Sequence, residues 1–457
     1  METENNITEK QLHKDLLAPV FGFSRRFWIA AGVLSLVLLA AGLGFTWMLI
    51  KGLGVTGLNR PVMWGFMITN FVFWVGISHA GVMISSILRL SRAEWRLPLT
   101  RAAEVLTLMA LFTAALHPII HSGRPWRTMY WAFPYDFSRE IWPNIRSPLI
   151  WDVSAIFTYL ISSTLFVYIA LIPDLAIVRD RASGIFRSIY GALALGWRGT
   201  NRQWQLHGIV SVLLAALILP VFVSVHSIVS WDFAAVTSVE GWHSTIFAPY
   251  FVAGAIHSGV SAVVVVMALM RWFYGWNNYL RPEHFDAIGK LLIAIALGWF
   301  YFFSMEFIFG LYSLEGPEIA LRNMQIFQPP WSIFSIVFLL TAFFIPVSLL
   351  LFRRVRRNIL AMFFLGITVN IGMWLERFLI IVPGLARKTP FTFDWGTYRP
   401  SIAEIGIVTG SFGLVFLGLL IFAKIFPLVP ISDQKEGQAF KGEIQIGRVK
   451  IKTTLRD

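Results

Sequence analysis

Ten stretches of this chain are apolar for long enough to cross a lipid bilayer, and no other feature limits its fold so severely. They run at about 28–50, 62–88, 101–120, 150–172, 206–228, 247–270, 288–311, 331–352, 358–381 and 402–426. Each can carry a helix, rising ~1.5 Å per residue, across ~30 Å of hydrocarbon. In that medium each backbone N–H and C=O must be paired internally, which leaves helices or closed barrels. Runs of this length predict helices, and the glycines and prolines within several of them are compatible with membrane helices. The expectation is an all-α membrane protein of ten transmembrane helices over 28–426, with an N-terminal segment 1–27 and a tail 427–457.

With 56% apolar and 14% charged residues, the composition excludes an ordinary soluble globule. A net charge of +13 would suit nucleic acid if it formed a patch, but the basic residues are scattered between the spans. Most of the 38 Lys and Arg residues lie in the N-terminal segment, the even-numbered loops and the tail. The positive-inside rule then places both termini in the cytoplasm, with the bilayer and not nucleic acid as partner. The run "RRVRR" at 353–357 is part of that anchor. Residues 1–27 are polar, with no n-region and h-region before a cleavage site, so no cleaved signal peptide is expected. The absence of cysteine excludes disulfides, covalently attached haem and cysteine-ligated iron–sulfur clusters. In the tail, "GEIQIGRVKIK" alternates apolar and polar residues, predicting a strand that docks on a neighbour's sheet edge or a solvated segment.

An internal repeat sharpens the architecture. Gly76, His79, Gly81 and Val82 recur as Gly254, His257, Gly259 and Val260 at an offset of 178, and Trp151 and Ile156 recur as Trp331 and Ile336 at 180. The matches lie four helices apart, so two tandem four-helix bundles are expected (helices 2–5, about 62–228, and helices 6–9, about 247–381), flanked by helices 1 and 10. An even spacing keeps the copies parallel. Asp152 of the first copy becomes Ser332 in the second, so only the first keeps a carboxylate there.

Ionisable residues inside membranes are costly and mark function unless they are paired structurally. His117 and Asp152 fall at one depth on consecutive helices, toward the outer side, beside the long loop 121–149. His226, Glu306, Glu376 and Arg377 also lie toward the outer side, His79 and His257 near mid-membrane, and Glu104 and His207 nearer the cytoplasm. Arg377 has a structural role available in pairing with Glu376 or Glu306, and His79 and His257 in hydrogen bonds between closely packed helices. A His–carboxylate pair at the lipid boundary suits quinol oxidation. A neutral imidazole accepts a hydroxyl hydrogen bond and then its proton, while a nearby carboxylate orients the ring and relays the proton. "HPIIH" at 117–121 lacks the glutamate of a zinc-protease motif, so no metal site is expected. Only helix 5 carries two well-separated histidines, His207 and His226, which argues against di-haem ligation. A secondary transporter, working without redox partners and using the mid-membrane histidines as proton relays, stays open.

Ten spans, the doubled four-helix unit, "SHAG" in helix 2, the outer His117 and Asp152, and "NIGMWLERFLII" in helix 9 resemble the NrfD/polysulfide-reductase-type membrane subunits, above all the ActC type of bacterial alternative complex III. That resemblance implies a quinol-oxidising subunit of a quinol:electron acceptor oxidoreductase, with no haem or iron–sulfur cluster of its own. It implies menaquinol in preference to ubiquinol, a periplasmic iron–sulfur subunit as electron acceptor, haem c subunits beyond it, and a paralogous ActF-like membrane subunit. The quinol site then comprises His117 and Asp152, with His121, Arg124, Trp151 and Glu306 around them. His79, His257, Glu104, His207, Glu376 and Arg377 form a candidate proton path. The loop 121–149, rich in aromatics and carrying four arginines, is either an interfacial belt or a lid and docking surface for the cluster-bearing partner. A green fluorescent reporter fused after Asp457 is expected to fluoresce, and alkaline phosphatase fused there to be silent. An insertion in loop 121–149 should give the reverse.

Overall fold

The structure, a computed structural model, describes residues 8–91, 93–128, 148–236, 239–387, 398–439, 443–446 and 449–452. Ten helices among the described residues are long and apolar enough to span a membrane. They are α1 (Arg25–Lys51), α2 (Phe66–Leu90), α3 (Thr100–His121), α4 (Pro148–Arg179), α5 (Asn201–Val236), α6 (Phe247–Tyr274), α7 (Pro282–Tyr312), α8 (Trp331–Leu350), α9 (Ile359–Ala386) and α10 (Ile402–Ile425). Both ends of the chain meet, because a helix at Glu9–Phe21 packs on another at Ile431–Ala439. We call that side proximal and the opposite side, where α3 ends and α4 begins, distal.

Helix α2 is the hub. Of its central stretch 94% is buried, against 6% for α1, which lies on the outside of the bundle. Contacts close one ring through α2, α3, α4 and α5 and a second through α6, α7, α8 and α9, with α2 against α6 as the shared wall. Helix α1 pairs with α10, which rests on α3. Glycine permits the closest crossing: a Cβ at Gly81 of α2 would lie 1.9 Å from the Ala103 carbonyl oxygen of α3. Thr107 secures the same crossing, accepting from the Val82 N–H at 3.2 Å and donating to the Ser78 carbonyl at 2.7 Å.

Several helices outrun the apolar stretches that announce them. Helices α4 and α5 extend to Arg179 and Val236, placing Asp174 and Asp232, loop residues by hydropathy, on buried helical faces. Helix α8 is interrupted by a π-helical turn at Leu340–Phe344. Shorter helices at Glu9–Phe21, Gly184–Leu193 and Gly316–Phe327 lie outside the spans. Their amphipathic faces cannot register in a window tuned to uniformly apolar runs. The N-terminal segment, polar in bulk, buries Leu12, Leu16 and Leu17. Its Pro19 carbonyl accepts from Lys424 Nζ at 2.9 Å, and Glu9 pairs with Lys435. The Lys435 ammonium holds the Glu9 carboxyl below its ordinary range. Helix α10 starts on a capping box, in which Ser401 Oγ accepts from the Glu404 N–H at 3.2 Å and Glu404 Oε2 from the Ser401 N–H at 2.9 Å. The alternating tail forms strands β1 (Glu443–Ile446) and β2 (Val449–Lys452), paired antiparallel with Ile444 opposite Ile451. Its strand period is thus realised within the chain as a hairpin.

Replacing Gly81 by valine forces α2 and α3 apart. Overpacking of this kind costs ~1–3 kcal/mol, so Gly81→Val is expected to lower the melting temperature of the detergent-solubilised protein, followed by fluorescence-detected size exclusion after heating.

Candidate functional site

His117 sits on the last turns of α3 and is 2% exposed. Its Nδ1 lies 2.8 Å from the Thr113 carbonyl one turn earlier. A carbonyl has no proton to give, so the neutral ring carries its hydrogen on Nδ1 and keeps the Nε2 lone pair as an acceptor. That lone pair receives the Asn70 amide of α2 at 2.7 Å. Asn70 Nδ2 also donates to Ser411 Oγ of α10 at 2.8 Å, and its Oδ1 accepts from Trp374 Nε1 of α9 at 3.3 Å. Trp74 Nε1 of α2 donates to the same Ser411 hydroxyl at 2.8 Å. The histidine thus terminates a saturated network across four helices.

An apolar groove of about 580 Å³ leads to this network. Trp74, Trp374, Phe363 and Phe412 are among its walls, with α6 opposite α10. The indoles that line it are those that donate into the Asn70–Ser411 cluster. Asn370 is the polar group on its wall; its amide donates to Ser261 Oγ at 2.9 Å and to the Gly366 carbonyl at 2.8 Å, while its Oδ1 is buried without a hydrogen bond.

Asp152 lies on the first turns of α4 and faces Asp232 near the end of α5, within hydrogen-bonding reach. Ionised carboxylates only accept hydrogen bonds, so the two can bond to each other only by sharing a proton. Among the described residues, Asp152 Oδ1 and both Asp232 oxygens are buried without a hydrogen-bond partner. The expected His117–Asp152 pair is therefore divided in the structure: Asn70 and Thr113 orient the imidazole, and Asp232 meets the aspartate. Hydropathy had placed Asp232 outside a span. The available signal was the length of α5, which carries an apolar period well beyond residue 228.

The remaining candidates fall into three places. His121 is near His117, its Nδ1 buried without a hydrogen bond, whereas Arg124 is exposed and Trp151 is 40% exposed on the outside of α4. Residues 129–147 of the long loop, with its proposed lid and docking surface, lie outside the described residues. In the first ring, His79 Nε2 contacts the Phe222 carbonyl at 3.1 Å, and its ring lies 4.6 Å from that of His226 and 4.8 Å from that of Tyr159. Toward the proximal side, Glu104 accepts from Ser85 and faces Arg101 at 3.5 Å, and Arg101 reaches Asp174 at 3.2 Å. His207 contacts the Ile169 carbonyl at 3.0 Å.

In the second ring, His257 Nε2 lies 2.9 Å from the carbonyl of Ala342, within the π turn, and its ring stacks on Trp299. Trp299 Nε1 donates to Glu376 Oε1 at 2.8 Å, and Arg377 pairs with Glu376 at 3.4 Å while its guanidinium lies 4.5 Å from the Phe251 ring centre. Gly254 makes room for this pair, since a Cβ there would come within 2.5 Å of the Arg377 Nη2. Glu306 is apart from them, bonded to Ser244 and to Arg322 at 3.1 Å. Sequence reasoning missed Asn70, Trp74, Ser411 and Trp374, because only ionisable groups were mapped by depth. The coupling between the two aspartates is measurable. A double-mutant cycle of Asp152→Asn and Asp232→Asn is expected to show a non-additive effect on thermal stability of ~0.5–3 kcal/mol.

Comparison with known proteins adds a family to this geometry. A family model described as "Polysulphide reductase, NrfD" matches residues 54–388. The chain is 27% identical to a putative dimethyl sulfoxide reductase membrane subunit of Halobacterium salinarum, over 89% of this chain and 92% of that protein. It is 22% identical to a selenate reductase subunit of Mesobacillus selenatarsenatis, over 88% and 94%. With the Hdr-like menaquinol oxidoreductase integral membrane subunit of Archaeoglobus fulgidus it shares 21% identity over 86% and 93%.

Proposed function

Since this chain belongs to the polysulphide reductase NrfD family of membrane subunits, we propose that it oxidises quinol at its distal side and hands the electrons to an iron–sulfur partner subunit. The observation that carries the reading is the His117 imidazole, buried with its acceptor nitrogen directed into a network that borders a tail-sized apolar groove. An isoprenoid tail in that groove brings the quinol head to Trp74 and Trp374, where a hydroxyl replaces the Asn70 N–H on His117 Nε2. Oxidation to quinone removes two electrons and two protons. The electrons leave to the partner's cluster; His117 accepts one proton, and the Asp152–Asp232 pair, with room for one more, takes the other toward distal water. His121 and Arg124 complete the proposed surroundings of this face, with Arg124 at its aqueous rim, whereas Trp151 and Glu306, expected there, lie on the outside of α4 and in the second ring.

The membrane is taken to be a bacterial inner membrane with both termini cytoplasmic, and the quinol to be menaquinol. The printed name of the Archaeoglobus relative, a menaquinol oxidoreductase subunit, supports the quinone type. The assembly we favour is an alternative complex III, with haem c subunits and an ActF-like paralogue. A second reading, in which the electrons flow on to a terminal reductase, is favoured by the names of the other two relatives. Absorbance of the complex purified in mild detergent separates the two, because the first requires c-type haem. Proton translocation would draw on His79, His226, Glu104 and His207 in the first ring and His257, Glu376 and Arg377 in the second.

In the purified complex, His117→Gln and Asp152→Asn are each expected to lower quinol-driven electron transfer by ~10²–10⁴-fold. Electron delivery from an artificial donor to the partner's clusters should stay unchanged. A wild-type quinol rate in either variant would remove that residue from the site.

A further inference from the structure

The second ring contains a cavity that the first site does not use. It measures about 440 Å³ and lies among the distal halves of α6, α7, α8 and α9, under the amphipathic helix Gly316–Phe327. Its wall is aromatic where α6, α7 and α8 face one another, with Phe247, Phe303, Phe307 and Phe338. Two of the carboxylates that line it are buried: Glu306, 3% exposed, and Glu376, 1% exposed. Glu376 Oε2 has the Arg377 guanidinium at 3.4 Å but no hydrogen bond, an acceptor buried beside open space.

Two features select the ligand. The cavity is also lined by Ile308, Ile326 and Ile336, which are 53%, 41% and 58% exposed on the outer surface of the ring. Its mouth therefore opens sideways onto lipid, and what enters is lipid-soluble. Charge then decides between classes of lipid. Glu240, Glu306 and Glu376 line the cavity, and each has an arginine beside it: Arg387 at 3.9 Å, Arg322 at 3.1 Å and Arg377 at 3.4 Å, with Arg322 also on Glu318 at 2.7 Å. A phosphate headgroup would find these cations already engaged by carboxylates. A neutral ring bearing hydroxyl donors would meet aromatic faces and carboxylate acceptors.

We propose that the α6–α9 ring holds a second quinol-binding pocket, entered from the membrane between α7 and α8, in which Glu306 and Glu376 accept hydrogen bonds from the quinol hydroxyls. The proposal rests on the quinol reading of the His117 side but concerns a separate cavity on other helices. It assigns binding and no redox step. A reservoir quinol held at the same membrane depth would refill the first site without a new search through the bilayer.

Photolabelling the intact complex with an azido-substituted prenylquinol, and mapping the label by mass spectrometry, tests this. Label is expected on peptides of α7 and α8 as well as near His117. Ser335→Phe fills the cavity from α8 without touching either carboxylate, and Ser332→Leu does so less severely if the first variant does not assemble. Either should lower the α7–α8 label about tenfold, equivalent to ~1.4 kcal/mol of binding, while label near His117 and turnover persist. Label near His117 alone, α7–α8 label unaffected by the fillings, or a phospholipid displaced by them in native mass spectrometry overturns the second pocket and leaves the first site standing. Absence of label at both places overturns the quinol reading as well.

Discussion

Everything in this molecule depends on burying α2. A helix surrounded by protein in a membrane gains little from hydrophobic contact, because lipid is as apolar as its neighbours. What fixes it is close approach and saturated polar bonds. Gly81 lets α3 come to van der Waals contact with the backbone, and Thr107 then ties both helices together. The polar residues of α2 are distributed to different neighbours. Asn70 goes to α3 and α10, Ser85 to Glu104 of α3, and His79 to a carbonyl of α5. Each bond left unmade would strand a buried dipole at ~1–3 kcal/mol. One of these residues, Asn70, also orients His117.

The two rings differ in chemistry. The first places histidines and a pair of aspartates along its axis. The second replaces them with glutamates held by arginine and indole, and with a histidine on the Ala342 carbonyl, whose usual helical donor position is Pro346, a residue without an N–H. A carboxylate paired with a guanidinium is oriented by it, whereas two facing carboxylates can hydrogen-bond to each other only by sharing a proton.

The ten spans were legible because a bilayer enforces a length and a hydropathy that few other environments require. The ends of those spans were not. A helix continues past the hydrocarbon for as long as its backbone and neighbours allow, and on such extensions lie Asp174 and Asp232. His117 was legible as an ionisable group in an expensive place. Its true partner was not, because Asn70 is neutral and distant in sequence, and neutral amides within apolar runs carry no depth signal. The amphipathic helix Gly316–Phe327 was lost to the same window, and with it the roof of the second cavity.

The seating of the first helix has a consequence for biosynthesis. Its leucines are covered on the proximal side, yet the cations that hold it, Lys424 and Lys435, lie 405 and 426 residues away from their partners Pro19 and Glu9. That helix can be anchored only after residues more than four hundred positions later have been made and α10 is in place. Burial of Leu12, Leu16 and Leu17 is thus coupled to a late step of assembly.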